Sequence, residues 1–423
     1  MSKWPVSSLH GKLHVKHGYP FRSKYFSDAG HYVVLTPGNF FEEGGFKRQA
    51  GKEKYYLGEI PNDYLHNKGD LIVAMTEQAA GLLGSCAFVP DGNIYLHNQR
   101  LGLVTSDSEQ LDLVFVFYLF QTKSVREQIR LTSTGSKVKH TSPERIYAVI
   151  APLPKAEEQR KIAAVLSALD AKIDCNKRIN AELEAMAKAL YDYWFVQFDF
   201  PDAHGKPYKS SGGKMAYNAT LKREIPEGWK DGTLDNLGRI VGGSTPSTEN
   251  PDNFTANGTP WITPYDLSGN QGNKLITRGV QDVSDEGIKS ASLKKLPAGT
   301  VLLSSRAPIG YMAIARAELT TNQGFKSFIP TSEFSTAFIY YTVKGSMKTI
   351  TQYASGSTFK EVSAGVLKTV KAVLPESNVV EQFTESVESI FKRQDVLEQE
   401  NHHLAQLRDW LLPLLMNGQV TVA

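Results

Sequence analysis

Cysteine is scarce in this sequence, which has 423 residues and 2 cysteines, Cys86 and Cys175. Neither lies in a Cys-x-x-Cys motif or in a Cys/His cluster, which argues against a disulfide framework and against a structural zinc site. Such sparse cysteine is typical of a protein that works in a reducing compartment.

Long hydrophobic runs are also missing. The most apolar stretches, residues 113–120 and 411–416, are far shorter than the roughly 20 residues that a membrane-spanning helix needs. The first twelve residues, MSKWPVSSLHGK, contain no apolar signal core. The sequence therefore predicts a cytoplasmic protein that does not interact with membranes.

Recognisable catalytic motifs are absent as well. An adenine methyltransferase needs a Gly-rich loop for S-adenosylmethionine and an Asn/Asp-Pro-Pro-aromatic loop for a flipped base, and neither occurs. There is no GxxxxGK[ST] phosphate loop. His10, His14 and His17 could share a helix face, but no carboxylate or cysteine neighbours them. We expect neither a catalytic nor a metal site in this chain.

The composition is that of a folded protein, with 41% hydrophobic and 22% charged residues. The formal net charge of +3 is too small to identify a nucleic-acid partner by itself. A chain of 423 residues has room for two or three domains.

The same series of short phrases occurs twice. The separation between matching residues falls slowly, from 229 − 4 = 225 at the start to 375 − 154 = 221 near the end. A separation this long indicates a duplicated domain and not a solenoid repeat. The matching segments are 4–9 with 229–234, 34–37 with 261–264, 69–73 with 299–303, 97–100 with 321–324, 134–136 with 355–357, and 153–154 with 374–375.

Each copy has two parts. The first is rich in Gly, Pro, Thr and aromatic residues, and short apolar runs such as 71–74 and 301–303 predict strands among turns. The second is helical, because residues 157–195 contain no Gly or Pro and are dominated by Ala, Glu, Lys and Leu. The predicted fold class is α+β, with two tandem mixed α/β domains, each followed by a long α-helix. The expected boundaries are 1–152 for the first domain, 153–198 for the first helix, 199–224 for a linker loop, 225–375 for the second domain and 376–423 for the second helix.

Both helical stretches carry apolar residues at heptad-like spacing. Polar residues interrupt each series, Asn176 and Asn180 in the first and Gln394 and Asn401 in the second. Either these polar residues are exposed and each helix packs only on its own domain, or the helices pair and the polar residues fix their register. We predict pairing, through an interface formed by Ile162, Leu166, Leu169, Ile173, Leu183, Leu190, Phe383, Ile390, Leu397, Leu404 and Leu411.

Several longer phrases resemble those of the specificity subunits of type I restriction–modification systems, over essentially the whole chain. One departure is segment 374–382, which is looser than its first counterpart and leaves the start of the second helix less well defined. The phrases are Leu302-Leu-Ser-Ser-Arg-Ala-Pro-Ile-Gly310, Thr321-Asn-Gln-Gly-Phe325, Ser355-Gly-Ser-Thr-Phe-Lys-Glu361, Pro152-Leu-Pro-Lys-Ala-Glu-Glu-Gln159, Leu190-Tyr-Asp-Tyr-Trp-Phe-Val196 and Ile225-Pro-Glu-Gly-Trp229.

This resemblance implies a non-catalytic protein whose two target recognition domains each read one half of an asymmetric, bipartite double-stranded DNA target. It implies that the two helices form an antiparallel coiled-coil-like pair, set the spacing of the half-sites and dock two modification (methyltransferase) subunits, so that the chain directs adenine methylation and restriction. Two restriction (endonuclease/translocase) subunits can join such a complex. The resemblance implies no cofactor in this chain, S-adenosylmethionine in the modification subunits, and ATP and magnesium in the restriction subunits.

Candidate DNA contacts follow from residue chemistry, since Lys and Arg neutralise phosphates while Arg, Asn, Gln, Ser and Thr on loops contact base edges. Arg306 is the strongest single candidate, because Arg is the commonest base reader; the alternative is a structural salt bridge. The repeated Asn-Gln and Gly-Ser pairs are also candidates, although such residues form turns too. The predicted DNA-binding residues are Arg22, Lys24, Lys47, Arg48, Lys52, Asn98, Gln99, Arg100, Ser136, Lys137 and Lys139 in the first copy, and Ser244, Thr245, Tyr265, Arg306, Asn322, Gln323, Ser357 and Lys360 in the second.

Two other functions stay open from the sequence. One is a self-sufficient DNA-modifying enzyme with an unfamiliar site. The other is a protein-interaction scaffold that never binds DNA, although two dissimilar loop-rich domains give a scaffold no obvious advantage.

Overall fold

The computed structural model describes residues 3–106, 109–354 and 361–422. The chain divides into two compact units, Met1–Lys172 with His403–Ala423, and Ile173–His402. Both boundaries fall inside long helices, so each unit contains one copy of the repeated domain and a segment of each helix. Within the described ranges, no helix is both long enough and apolar enough to cross a membrane.

In its described residues, the first copy contains short strands and three short α-helices. Asp112 caps the first helix by accepting hydrogen bonds from the amides of Val114 and Phe115. The elements are β1 Val6–Ser8, β2 Leu13–His17, β3 Phe26–Ser27, β4 Tyr32–Leu35, β5 Tyr55–Tyr56, β6 Leu71–Ala74, β7 Cys86–Phe88, β8 Tyr95–His97, β9 Leu101–Ser106, α1 Leu113–Leu119, α2 Lys123–Leu131, α3 Pro143–Tyr147 and β10 Ile150–Pro152.

A long helix, α4, follows at Ala156–Tyr191 and ends in a π-helical turn, Asp192–Val196. A hairpin of β11 Met215–Asn218 and β12 Arg223–Pro226 leads to the second copy. The remaining elements are β13 Lys230–Thr233, β14 Gly238–Gly242, β15 Phe254–Thr255, β16 Thr259–Ile262, α5 Pro264–Gly269, β17 Leu275–Ile276, β18 Gln281–Val283, α6 Asp285–Ser290, β19 Val301–Leu303, β20 Met312–Ala315, β21 Thr320–Thr321, β22 Lys326–Pro330, α7 Thr336–Gly345, α8 Met347–Gln352, α9 Ala364–Leu367, β23 Lys371–Leu374 and the long helix α10 Ser377–Met416.

The two copies share strand pairing and register. One sheet has the order β2-β9-β6-β7 in the first copy and β14-β22-β19-β20 in the second, where β17 extends it. The other has the order β3-β5-β4-β8 in the first and β15-β18-β16-β21 in the second. Val34 pairs with Leu96 in parallel, and Trp261, its predicted equivalent, pairs with Thr320 in the same way. The predicted duplication and fold class are confirmed.

In the first unit, both long helices pack against the repeated domain. Ile162 and Leu166 of α4 are buried in one core with Phe115 of α1 and Leu415 of α10. Asp170 links three elements, because it accepts hydrogen bonds from the Tyr118 hydroxyl at 2.6 Å and from Arg408 Nη1 at 2.8 Å.

In the second unit, the polar residues of the two helices meet. Asn176 Nδ2 donates to Asn401 Oδ1 at 3.0 Å, and Gln394 Nε2 donates to the Asn180 carbonyl at 3.3 Å. Asn180 lies later in α4 than Asn176, whereas its partner Gln394 lies earlier in α10 than Asn401. The two helices are therefore antiparallel in this unit. Asn176 is fully buried, so the alternative in which these polar residues are exposed does not hold.

Several of the residues predicted to form the interface between the two helices also pack in the hydrophobic cores of the domains. Near the helix ends they pack with strand and helix residues of the repeated domains. Ile162, Leu166 and Leu411 pack in the first core, Leu190, Phe383 and Ile390 pack in the second, Ile173 and Leu397 are buried, and Leu169, Leu183 and Leu404 are half-buried.

Segment 199–224, expected to be a linker loop, is more structured than that. Besides the hairpin, Phe200 is buried and stacks on Tyr208 and Trp229 with ring centroids 4.6 and 5.0 Å apart. The Asp199 carboxylate accepts hydrogen bonds from the amide and hydroxyl of Ser210. Its Pro, Gly and Ser content suggested a linker, but its aromatic side chains fasten it to the second unit.

Candidate nucleic-acid interface

Parallel strands bring two turns to one edge of each domain. In the first copy, turns 36–39 and 98–100 follow β4 and β8, which run parallel. In the second, turns 263–266 and 322–324 follow the parallel strands β16 and β21. Turns after parallel neighbours lie at the carboxyl ends of the strands, where α/β sheets commonly bind ligands.

The repeated asparagines shape one of these turns. Asn98 Oδ1 accepts the Arg100 amide at 3.0 Å, and Asn322 Oδ1 accepts the Gly324 amide at 2.9 Å. Both asparagines are half-buried, whereas the next residues, Gln99 and Gln323, are exposed. The turn-forming interpretation therefore accounts for the asparagines and leaves the glutamines available to a ligand.

A pair of glycines lets a neighbouring strand approach this turn. A Cβ on Gly18 would overlap the Asn98 carbonyl oxygen, and a Cβ on Gly243 would overlap the Asn322 carbonyl oxygen. The following amide in each copy donates to the strand, Tyr19 to the His97 carbonyl at 3.1 Å and Ser244 to Thr321 at 3.0 Å. Sequence reasoning missed these glycines, although their separation, 243 − 18 = 225, equals the offset at the start of the repeat.

A third loop joins the same edge. The Met75 amide donates to the Arg100 carbonyl at 2.8 Å, and the Met75 carbonyl accepts from Thr141 at 3.0 Å. In the second copy, Ser305 stands at the position of Met75. Its amide donates to the Gly324 carbonyl at 2.7 Å, and its carbonyl accepts from the Val362 amide at 2.9 Å. These bonds place Thr76 and Arg306 at equivalent positions beside the glutamine turns.

We call these clusters the first and second loop edges. The first comprises Tyr19, Thr76, Asn98, Gln99, Arg100, Lys139 and His140, and the second comprises Ser244, Thr245, Tyr265, Arg306, Asn322, Gln323 and Glu361.

Several charged candidates have partners within the protein. Arg306 Nη1 lies 3.8 Å from Glu361 Oε2, and Lys326 Nζ lies 3.7 Å from the other oxygen of that carboxylate. Arg48 pairs with Asp91 at 2.6 Å. The Arg306 pair is long and only partly buried, so it positions the guanidinium without removing it from the surface.

The structure separates other candidates. Arg22 and Lys24 precede β3, which is separated from β4 by β5. Strand β3 begins at the end of the sheet that lies opposite the first loop edge. Lys47 lies nearer this edge, since its amide donates to the Asn39 carbonyl at 2.8 Å. Lys52 is exposed, and its amide donates to the Gln49 carbonyl at 2.8 Å. Ser136 and Lys137 are exposed in the loop that carries Lys139. Ser357 and Lys360 lie outside the described residues.

Metal-binding geometry does not occur in the ranges that the structure describes, where no three His, Cys, Asp or Glu side chains are grouped to hold an ion. The idea that His10, His14 and His17 share a helix face is wrong, because residues 13–17 form β2. A strand turns successive side chains to opposite faces.

A buried histidine pair lies directly under the first loop edge. His97 is fully buried, its Nε2 lies 3.4 Å from the Lys16 carbonyl, and its ring centroid is 4.7 Å from that of His66. Burial lowers the pKa of His97 to about 3 and also lowers the pKa of His66. His97 is therefore neutral near pH 7, whereas His66 Nδ1 also lies 3.0 Å from Asp70 Oδ2, which opposes the effect of burial. In the second copy Thr321 takes the place of His97.

Acidification should loosen the first loop edge selectively. Both histidines titrate near 6.5 when unfolded, so the stability due to their neutral state is present above that pH and is lost below it, by about 1.4 kcal/mol per pH unit for His97. Hydrogen exchange at pH 7.5 and 5.0, corrected for intrinsic rates, should show protection lost around residues 95–101, with little change around 319–325. A His97→Thr variant should reduce this difference, and equal losses in both segments would contradict the prediction.

Known proteins similar to this one match it over most of the chain. Residues 1–185 and 226–406 match the family model described as the type I restriction modification DNA specificity domain. The chain is 38% identical over 186 residues to the type I restriction enzyme MjaIX specificity subunit of Methanocaldococcus jannaschii, a match covering 41% of this chain and 42% of that protein. It is 26% identical over 359 residues to the HindI specificity subunit of Haemophilus influenzae, covering 72% and 77%. The crystal structure of an S subunit from M. genitalium has the same fold, with a TM-score of 0.59 and 16% identity over 98% of this chain and 96% of that one.

Proposed function

Because the chain belongs to the type I restriction–modification DNA specificity family, we propose that its two loop edges read the two halves of one bipartite DNA target. It is a specificity subunit, and catalysis resides in other subunits of the complex. The observation that carries this proposal is the pair of domains with one topology and unlike edge residues. Arg306 occupies in the second domain the position that Thr76 occupies in the first, and Gly324 occupies the position of Arg100.

Partners and cofactors are part of the proposal. The chain associates with duplex DNA and with other subunits of the system, which we propose to be two modification subunits and, for restriction, two further subunits. S-adenosylmethionine is assigned to the modification subunits, and ATP with magnesium to the restriction subunits. The proposed place of action is the cytoplasm, where the DNA lies.

The complex reconstituted with modification subunits should bind target duplex with an affinity that falls steeply as salt rises, because phosphate contacts release counterions. Salt-independent binding, or none, would favour the protein-interaction scaffold. Methyl transfer by the purified chain alone would favour the self-sufficient enzyme.

The long helices are proposed to set the distance between half-sites. Support comes from the hydrogen bond between buried Asn176 and half-buried Asn401 in the second unit, which fixes the register of α4 against α10. Inserting four residues directly after Asn176 and four directly before Asn401 places both insertions at the same level of the antiparallel pair and keeps these asparagines together. Each helix becomes about 6 Å longer, which is close to the rise of two base pairs.

This matched insertion should lengthen the gap between half-sites by about two base pairs and leave both half-site sequences unchanged. Sequencing the methylated sites would measure the gap. Insertion in α4 alone serves as the comparison and should impair methylation, because it breaks the polar register. An unchanged gap with full activity in the matched variant would contradict the proposal that the helices set the distance between half-sites.

A further inference from the structure

Gln99 and Gln323 occupy one structural position in two different domains. Each follows a strand whose register is shared, β8 or β21, and each precedes a carbonyl that accepts the amide of Met75 or Ser305. Both side chains are exposed at the tip of a turn fixed by the preceding asparagine. The backbone therefore holds a glutamine side-chain amide at the same place in both domains.

The neighbours of these glutamines differ between the copies. Arg100 corresponds to Gly324, Thr76 to Arg306, and Pro20 to Thr245. Apart from the asparagine that forms the turn, the glutamine is the polar side chain that both loop edges keep at this turn. The two edges therefore place different side chains around one shared glutamine amide.

A glutamine amide carries an acceptor and a donor side by side. That pair matches the N6 donor and N7 acceptor that adenine presents in the major groove, and a bidentate contact of this kind discriminates against other bases. A glutamate has acceptors only, so it would instead accept a hydrogen bond from the N4 amino group of cytosine.

We propose that Gln99 and Gln323 each read an adenine at the same position of their respective half-sites. The half-sites then share one base pair, at an equal distance from the methylated adenine of each, although they differ elsewhere. This inference rests on the proposed function, because it requires each loop edge to face one half-site.

Thr245 adds a difference between the two contacts. Its hydroxyl donates to Gln323 Oε1, which orients that amide before DNA arrives. Pro20 stands at the equivalent position in the first copy and has no hydroxyl to offer Gln99. Discrimination at the shared position should therefore be stronger in the second half-site.

The test is to sequence methylated sites produced by the complete complex with wild-type chain, Gln99→Ala, Gln323→Ala, and Gln281→Ala, a control at an exposed glutamine of β18. Each of the first two variants should lose about 5-fold to 150-fold of its discrimination at one A·T pair of one half-site. The other half-site should stay intact, which reports that the chain is folded. The control should leave the motif unchanged.

Gln99→Glu and Gln323→Glu supply a gain-of-function readout, since each should shift the preference at that position from adenine towards cytosine. Relaxed positions at unequal distances from the methylated adenines, relaxation at a pair other than A·T, or an unchanged motif would overturn the inference and leave the proposed function standing. A wild-type complex that methylates no bipartite target would overturn both.

Discussion

Replacing Gly243 with alanine should slow methylation of the target by about 5-fold to 150-fold, because forcing an extra methyl group into a packed site costs about 1–3 kcal/mol. The added Cβ would overlap the carbonyl oxygens of Asn322 and Thr321, which are backbone atoms. The turn that presents Gln323 must move to make room. The initial rate of methyl transfer by the reconstituted complex measures the effect.

Gly269→Ala is the matched control, because it lies in the same domain and a Cβ there meets nothing within 4 Å. Gly18→Ala should have an effect like that of Gly243→Ala, acting through the Asn98 carbonyl in the first copy. Wild-type rates for both Gly18→Ala and Gly243→Ala would contradict the prediction.

Replacing Glu398 with alanine should lower the free energy of unfolding by about 3–5 kcal/mol, the usual result of removing one partner from a buried ion pair. The Glu398 carboxylate accepts the amides of Lys274 at 2.6 Å and Leu275 at 3.1 Å, and it lies 3.3 Å from Arg316 Nη2. Only 3% of its side chain is exposed. The two backbone amides would lose their acceptor, whereas Arg316 would keep its hydrogen bond to Asp395 at 2.5 Å.

Urea denaturation followed by circular dichroism measures this loss. Glu388→Ala removes another carboxylate of α10, one that pairs with Lys392 at 2.7 Å on the surface, and should cost less than about 1 kcal/mol. Glu398→Gln should fall between the two, because burial raises the pKa of Glu398 and an amide oxygen can still accept the backbone hydrogen bonds. Equal costs for Glu398→Ala and Glu388→Ala would contradict the prediction.

Patterns that recur along the chain were visible in the sequence. The duplication was predictable because short phrases recur in order, and the shared strand register confirms it. The long helices were predictable because residues 157–195 lack Gly and Pro. Asn98 and Asn322 were predicted with both a DNA-contact and a turn-forming interpretation, and only the hydrogen bonds in the structure show their part in the turn.

Features that depend on distant partners could not be predicted. Lys274 reads as an ordinary surface lysine, yet its ammonium is buried 2.7 Å from Glu184 and 2.8 Å from the Tyr341 hydroxyl, and burial lowers its pKa to about 8. The close approach of Gly18 to the turn at Asn98 likewise joins residues that lie far apart in the chain. Sequence spacing carries no signal for such contacts.

The central claim is that two unlike domains of one fold read two separate stretches of DNA. Genome-wide mapping of methylated adenines in cells expressing this chain with its modification subunits tests it most directly. We predict one motif made of two different half-sites separated by a gap of fixed length. A single continuous motif, or methylation that persists when this chain is deleted, would contradict the claim.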